Sequence, residues 1–262
     1  EKGWNLDMSI RKKTKIAVLF GGRSTEYEVS LQSAYSVITN IDEGLYELIL
    51  LGITSEGKWL RYDGPAEGIL YNSWMNHESC IPAIISPDRT TNGILEFHGD
   101  RIILTQIDLA FPVMHGKNGE DGTLQGLLEI AGIPYVGCDM LSSAICMDKD
   151  IAHKLVNLAG IKTPSSIVLR TNIAYEELIE GINDLRYPLF IKPVNAGSSF
   201  GITKVTKEEQ LKDAVDLAFE HDSKVIIEEA VEGFEVGCAI LGNDSLILGE
   251  PDEIELSHGF FD

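Results

Sequence analysis

Several common signatures of nucleotide and redox chemistry are missing from this 262-residue sequence. There is no GxxxxGKS or GxxxxGKT motif, which excludes a P-loop protein. No GxGxxG spacing follows the first predicted strand, which argues against a nicotinamide site there. The GxSxG, HExxH and protein-kinase signatures are also missing, which excludes those hydrolase, metalloprotease and kinase classes.

Basic residues are scarce, with 21 Lys and Arg against 41 Asp and Glu and a formal net charge of −20. This balance argues against a nucleic-acid or anionic-membrane partner, because a phosphate backbone needs a basic face. The cysteines, Cys80, Cys138, Cys146 and Cys238, form no CxxC pair and lack zinc spacing, which favours reduced structural thiols. Residues 1–13 lack the apolar core of a signal peptide, and no run approaches the roughly 18 apolar residues of a membrane helix. We therefore expect a cytoplasmic protein.

A glycine- and serine-rich loop follows a short apolar run in the stretch PLFIKPVNAGSSFG, residues 188–201. The run 187–191 predicts a buried strand that ends at Lys192. The small residues 197–201 let the backbone approach a ligand closely, and their N–H and hydroxyl groups suit phosphate oxygens. Lys192 adds the compact positive charge that phosphates favour. An ordinary turn beside a solvated lysine would give the same pattern.

The beginning of the chain has the pattern of a doubly wound fold. Residues 15–20 predict a buried parallel strand, GGRSTE follows, and a helical pattern covers residues 29–38. Residues 46–53 and 109–113 predict further strands, and we expect the segment 55–107 between them to form hairpin-like additions. Glu26 is unusual where a helix N-terminus favours anions. Its carboxylate suits a substrate ammonium, and a solvated first-turn glutamate is the alternative.

The strand 109–113 ends in the acidic loop HGKNGEDG, and a helix closed by Gly132 follows it. The loop does not have the ligand spacing of an EF-hand, so calcium is not expected. His115 lies just past the carboxyl end of a strand, where α/β folds place ligand groups. A hydrogen-bonded structural histidine is the alternative reading.

The second half of the chain alternates strands and helices around the glycine loop, which predicts an α+β domain. Residues 138–144 are expected to cross into this domain, and a helix begins near Lys149 and ends before Gly160. The apolar strand 224–228 ends in acids that suit an adenine edge. Lys149 and Glu235 are also candidate site residues, and the alternative for each is a solvated side chain on the surface.

Five motifs in this order carry a resemblance to a known family: GGRSTEYEVSLQSA, HGKNGEDGTLQG, MDKD, IKPVNAGSSFGITKV and IIEEAVEGFEVGCAILG. Residues 15–262 resemble the D-alanine–D-alanine ligase family of ATP-grasp enzymes, and the wording is most similar to the VanG-type D-alanine–D-serine ligases of vancomycin resistance. The resemblance implies α/β folds: a Rossmann-like N-terminal domain at 1–137 and an α+β ATP-grasp domain. The ATP-grasp domain would comprise a central part at 138–228 and an incomplete C-terminal part at 229–262.

The family's activity implies that ATP phosphorylates D-alanine and that D-serine or a second D-alanine then displaces phosphate. Glu26 would bind the ammonium of the first D-alanine, His115 would lie near its carboxylate, and Ser198 would link Glu26 to a mobile lid. The ATP-binding positions that the resemblance implies are Lys149, Lys192, Ser199, Gly201, Glu228, Glu229, Val231 and Glu235.

Members of the family continue past the Gly-Phe-Phe-Asp sequence with a lid and with the ligands for Mg²⁺. The metal site is therefore expected outside these 262 residues. A chain that ended here would be a non-catalytic nucleotide-binding fragment. D-Lactate as the acceptor stays open, because its determinants would also lie in the missing lid, and another ATP-grasp ligase is disfavoured by the first two motifs. Members of the family usually form homodimers through the first domain, so the resemblance implies a homodimer for this chain too.

Overall fold

A computed structural model describes residues 12–197 and 201–254 of the chain. The described residues divide between Asp148 and Lys149 into two compact units, and each unit has its own hydrophobic core. No helix in these two ranges combines the length and the apolar character that crossing a bilayer requires. The three-part division at 137/138 and 228/229 stays a prediction.

The first unit is organised on a seven-stranded sheet. In chain order its elements are β1 (Thr14–Gly21), α1 (Tyr27–Asn40), β2 (Tyr46–Ile53), β3 (Trp59–Tyr62), α2 (Ala66–Leu70), β4 (Ile81–Ile85), β5 (Gly93–His98), β6 (Arg101–Gln106), β7 (Leu109–Pro112), α3 (Thr123–Ala131) and α4 (Met140–Met147). Strand β1 pairs in parallel with β2 on one side and β7 on the other, which confirms the doubly wound opening. Its residues from Ile16 onward are buried, as expected for a central parallel strand.

The segment between β2 and β7 extends the sheet in the antiparallel direction, in the order β6-β5-β4-β3-β2-β1-β7. This confirms the predicted hairpin-like additions. Trp74, which no sequence pattern assigned to a core, is fully buried. Its ring centroid lies 4.9 Å from that of Phe20 and 6.1 Å from that of Tyr62, so an aromatic cluster anchors the addition to the central strand.

A buried serine joins three parts of the first unit. The Ser30 hydroxyl accepts a hydrogen bond from the Gly21 N–H at 2.8 Å and donates one to the Val113 carbonyl at 2.5 Å. Ser30 lies in α1 and is fully buried. It therefore connects the end of β1, the helix after the glycine turn and the segment that leads from β7 to His115.

We expect Ser30→Ala to destabilise the chain by about 1–3 kcal/mol, because a buried N–H and a buried carbonyl each lose their partner. Urea unfolding would measure the change. Ser36→Ala is the matched control, since Ser36 lies in the same helix and its exposed hydroxyl only donates to the Gln32 carbonyl. Equal effects of the two substitutions would contradict this account.

The second unit contains a four-stranded antiparallel sheet in the order β10-β9-β11-β8 and two small strand pairs, β12–β15 and β13–β14. Its elements are α5 (Lys149–Leu158), β8 (Ser166–Leu169), α6 (Tyr175–Gly181), β9 (Leu189–Pro193), β10 (Thr203–Val205), α7 (Leu211–His221), β11 (Val225–Glu229), β12 (Glu235–Gly237), β13 (Ile240–Leu241), β14 (Ile247–Leu248) and β15 (Asp252–Ile254). The α/β unit followed by an α+β unit confirms the predicted fold class.

One predicted connection differs in the structure. The sequence pattern assigned residues 138–144 to a crossing between domains, but most of them begin helix α4, which belongs to the first unit. The helix forms because Asp139 caps it: the Asp139 carboxylate accepts the Ser142 N–H at 2.7 Å.

Candidate functional site

Glu26 lies immediately before helix α1 and is only 6% exposed. Its backbone N–H donates to the Ser24 hydroxyl at 3.1 Å, which shapes the turn that leads into the helix. The carboxylate packs against the backbone of Gly116: a Cβ built on Gly116 would lie 2.0 Å from Oε2 of Glu26 and 2.7 Å from Oγ of Ser24. The structure therefore brings Glu26 next to the loop that carries His115.

His115 lies between a hydroxyl and a carboxylate. Its Nε2 is 3.0 Å from Oγ of Ser33, and its Nδ1 is 3.8 Å from Oε1 of Glu120. Glu120 raises the pKa of His115 through a hydrogen bond and its charge, against a smaller opposing effect of burial, and the charge of Glu26 acts in the same direction. His115 in turn lowers the pKa of Glu120. His115, whose pKa is raised, and the Glu26 carboxylate next to the same loop give this site one group for a substrate carboxylate and one for an ammonium.

The raised pKa of His115 predicts a pH dependence. Because the pKa of His115 in the folded state lies above its ordinary value of 6.5, protonation of His115 stabilises the folded state. This contribution to the free energy of unfolding is complete below pH 6.5 and is lost as the pH rises through the folded-state pKa. Glu120→Gln should therefore lower the His115 pKa in an NMR titration. Glu129→Gln, in helix α3, removes a carboxylate that binds the Tyr135 hydroxyl and is the control. An unchanged His115 pKa in Glu120→Gln would contradict the assignment.

Glu120 was not among the residues that the sequence singled out, yet it organises the acidic loop. Its Oε2 accepts the Gly116 N–H at 2.7 Å, and Oδ2 of Asp121 accepts the Asn118 N–H at 2.8 Å. The Gln125 amide donates to the Gly119 carbonyl at 2.8 Å. The loop acids thus bind the loop's own backbone. The sequence signal that could have identified Glu120 is its position, five residues after the candidate histidine His115.

A cavity of about 890 Å³ opens in the second unit, and the strand register explains how it forms. Alternate residues of β9 are buried, so Phe190 and Lys192 lie on its more open face. Phe190 pairs with Lys204 on β10 and with Glu228 on β11, which puts the three side chains in one row across the sheet. The cavity is lined by Pro164, Arg186, Tyr187, Pro188, Phe190, Lys192, Ile202, Lys204 and residues 228–235.

Glu228 is the buried acid of this cavity, at 5% exposed. Lys192 pairs with its Oε1, whereas Oε2 has no hydrogen-bond partner among the described residues and lies 3.9 Å from Nε2 of His153. The ammonium groups of Lys192 and Lys204 lie 5.3 and 5.8 Å from the centroid of the Phe190 ring. A carboxylate oxygen with free acceptor capacity, an aromatic ring and two cations suit a base joined to phosphates.

The remaining cavity positions come from the segment after Glu228. Glu229 ends β11 and accepts the Arg186 N–H at 2.9 Å, Val231 is 74% exposed, and Glu235 begins β12 with an exposed side chain. All three line the cavity with Lys192 and Glu228. Phe190 and Lys204 were missed by sequence reasoning, although the alternation in LFIKP placed Phe190 on the face of Lys192.

Four other predicted residues belong to the glycine loop or contact the segment that leads into it, and two of these lie outside the described ranges. Gly201 has a φ of +70°, and a Cβ there would lie 2.6 Å from Cδ2 of His221, so the loop needs glycine at its end. Lys149 opens α5, and its ammonium donates to the Ala196 carbonyl at 2.6 Å and the Val194 carbonyl at 3.3 Å. Ser198 and Ser199 lie outside the described residues.

Within residues 12–197 and 201–254, no group of three or more His, Cys, Asp or Glu side chains could hold a metal ion. The expectation that the metal ligands lie elsewhere stays a prediction.

Two family models match the chain in succession. The model described as "D-ala D-ala ligase N-terminus" matches residues 15–138, and the model described as "D-ala D-ala ligase C-terminus" matches residues 155–262. Together they account for both compact units and most of the sequence.

Individual relatives agree with these models. The crystal structure of the VanG D-Ala:D-Ser ligase from Enterococcus faecalis is 57% identical, with a TM-score of 0.86 over 96% of this chain and 72% of that one. A D-alanine–D-alanine ligase from Caldicellulosiruptor bescii is 47% identical over 95% of this chain and 69% of its own length. The vancomycin B-type resistance protein VanB from Enterococcus faecalis is 45% identical over 95% and 70%. This chain therefore belongs to the D-alanine–D-alanine ligase family, with its ATP-grasp-type fold.

Proposed function

We propose that this chain carries the nucleotide site and the first-substrate site of an ATP-dependent ligase that joins D-alanine to a second D-amino acid, with D-serine favoured. The observation that carries the proposal is the cavity of about 890 Å³ in which Lys192 and Glu228 lie side by side. Its volume falls within the roughly 300–1,000 Å³ of small-molecule sites. The 57% identity to a D-Ala:D-Ser ligase supports D-serine, and relatives with other names leave D-alanine as the alternative.

ATP would bind with its adenine against Phe190 and its amino group donating to Oε2 of Glu228. That oxygen is buried and has no hydrogen-bond partner among the described residues, so an amino group would satisfy it. The backbone at Glu229 and Val231 would contact the ring edge, and Glu235 would accept from the ribose hydroxyls. These roles use groups that line one cavity.

The phosphates would lie toward Lys192 and Lys149. Both ammonium groups are held by protein acceptors, Lys192 by Glu228 and Lys149 by the Val194 and Ala196 carbonyls. Arriving phosphate oxygens would compete for these donors as stronger, charged acceptors. Gly201 would let the loop backbone approach the phosphates, and Ser199 with its loop would cover them. The link from Ser198 to Glu26 stays a prediction.

The first D-alanine would bind in the first unit, with its ammonium on Glu26 and its carboxylate near His115. One carboxylate oxygen of D-alanine would then attack the γ-phosphorus of ATP, and ADP would leave. The neutral amine of the second substrate would attack the acyl carbon of the D-alanyl phosphate, expel inorganic phosphate and lose a proton. The residues of this chain contribute orientation and charge, which dominate phosphoryl transfer.

Three further features belong to the proposal. We infer a cytoplasmic protein that uses Mg²⁺, with metal ligands outside the described residues. We also infer a homodimer through the first unit, since the edge strand β6 exposes Ile102, Ile103 and Leu104 at 63%, 46% and 45%. Light scattering after size exclusion would test the dimer, and Ile103→Lys should reduce the mass to that of a monomer.

A coupling assay tests the activity. The protein would be incubated with MgATP, D-alanine and one acceptor at a time, D-serine, D-alanine or D-lactate, and the products identified by mass spectrometry. D-Alanyl-D-serine as the main product would support the proposal, and D-alanyl-D-alanine would support the alternative. The chain spans about 70% of the length of these relatives. MgATP binding is therefore measured in parallel, so that loss of coupling can be distinguished from loss of nucleotide binding. Binding without coupling would favour the nucleotide-binding fragment, and a chain that neither binds nor couples would contradict both.

A further inference from the structure

Asp150 is a buried carboxylate next to Lys149, and the proposed reaction gives it no role. It lies in the first turn of α5 and is 4% exposed. Its Oδ1 is 2.7 Å from Nζ of Lys154, and its Oδ2 is 2.9 Å from Nζ of Lys224 and 3.3 Å from Nη2 of Arg170. Burial opposes ionisation, but Lys154 and Lys224 outweigh burial and lower the Asp150 pKa. A charged acid is therefore held next to a proposed phosphate ligand.

Hydrogen bonds from this carboxylate lead back to Lys149 in a closed ring. Lys224, whose ammonium binds Asp150, accepts the Val194 N–H on its backbone carbonyl at 2.9 Å. The Val194 carbonyl accepts the Lys149 backbone N–H at 3.3 Å and the Lys149 ammonium at 3.3 Å. The peptide bond between Lys149 and Asp150 closes the ring.

The members of the ring differ in burial from the other partners of Asp150. Lys224 is 9% exposed and Val194 is fully buried. The side chains of Lys154 and Arg170 are 62% and 68% exposed, so solvent screens their attraction to Asp150. The contact between Asp150 and Lys224 is therefore the buried ion pair of this carboxylate, and it links the first turn of α5 to the residue that precedes β11.

We propose that Asp150 is a positioning residue for Lys149. Through Lys224 and Val194 it holds the backbone of Lys149 at the end of β9, so that the ammonium lies beside the carbonyls that lead into the glycine loop. The inference rests on the proposed function, because it assumes that Lys149 contacts the phosphates of ATP.

Isothermal titration with two ligands tests this role. MgATP reports the phosphate contacts, and adenosine reports the base and ribose contacts alone. Asp150→Asn should weaken MgATP binding about five- to tenfold and leave adenosine binding unchanged, because only the lysine beside the phosphates moves. Lys224→Gln breaks the same contact from the other side and should have the same effect. The double variant should be no weaker than either single variant, as expected of one coupled pair.

Two control variants separate positioning from general loosening of the unit. Lys154→Met removes the exposed partner of Asp150 and should change MgATP affinity less than twofold. Asp216→Asn removes a half-exposed acid that Lys212 and Asn172 bind elsewhere in the unit, and it should also have little effect.

The outcomes distinguish the inference from the function on which it rests. If Lys149→Met weakens MgATP binding but Asp150→Asn and Lys224→Gln do not, the positioning role is wrong and the phosphate role of Lys149 stands. Equal weakening of MgATP and adenosine in Asp150→Asn would also contradict positioning. If Lys149→Met leaves MgATP affinity unchanged, the phosphate role fails and the inference fails with it.

Discussion

Replacing Lys192 with methionine is expected to weaken MgATP binding about 100-fold, an effect of about 2.7 kcal/mol. The substitution removes a phosphate ligand, and it also leaves the carboxylate of Glu228 without its cation in a cavity where that side chain is 7% exposed. An uncompensated negative charge in that cavity would repel the incoming phosphates. Methionine keeps the length and the apolar stem of lysine, so the loss would come from the charge.

Lys204→Met provides the matched control for Lys192. Lys204 lies on the neighbouring strand, lines the same cavity and has its ammonium over the same Phe190 ring, at 5.8 Å. It has no ion pair with Glu228, so we expect its loss to weaken binding by less than about fivefold. Titration calorimetry on both variants, with thermal unfolding to check folding, measures the difference. Unchanged MgATP affinity in Lys192→Met would overturn the phosphate role.

Gly116→Ala should reduce D-alanine affinity about 100-fold without a comparable loss of MgATP affinity. The new methyl group would lie 2.0 Å from Oε2 of Glu26, and Gly116 has a φ of +66°, so the Glu26 carboxylate would have to move away from the substrate ammonium. A displacement of about 1 Å in a substrate-positioning group is enough for a loss of this size. Ligand-observed NMR would measure D-alanine binding.

Gly99→Ala separates this clash from backbone strain. Gly99 has a similar φ of +61°, but a Cβ there has no atom within 4 Å. It should therefore carry the same conformational cost of about 1 kcal/mol and leave D-alanine affinity intact. If both alanine variants bound D-alanine equally well, the contact between Gly116 and Glu26 would have no role in substrate binding.

The sequence predicted the larger elements because their patterns are local. The run 15–20 has the continuous apolar character of a central parallel strand, and residues 46–53 match the bounds of β2. Helix α4 was missed because the residues before its N-cap, Asp139, are Val136, Gly137 and Cys138, and a glycine there is typical of a connection. Trp74 was missed because its burial depends on Phe20 and Tyr62, which are distant in the chain.

The candidate site divides in the same way. The order of five motifs identified the family, and local patterns together with that resemblance named Lys192 and Glu228 as candidates, because residue type and order are properties of the chain. The pairing of Lys192 with Glu228, the row that Phe190 forms with its neighbours, and the ring from Asp150 to Lys149 required the tertiary structure. Each of these depends on strand register and on groups far apart in sequence, and a shift of one residue in register would turn the side chains to the opposite face.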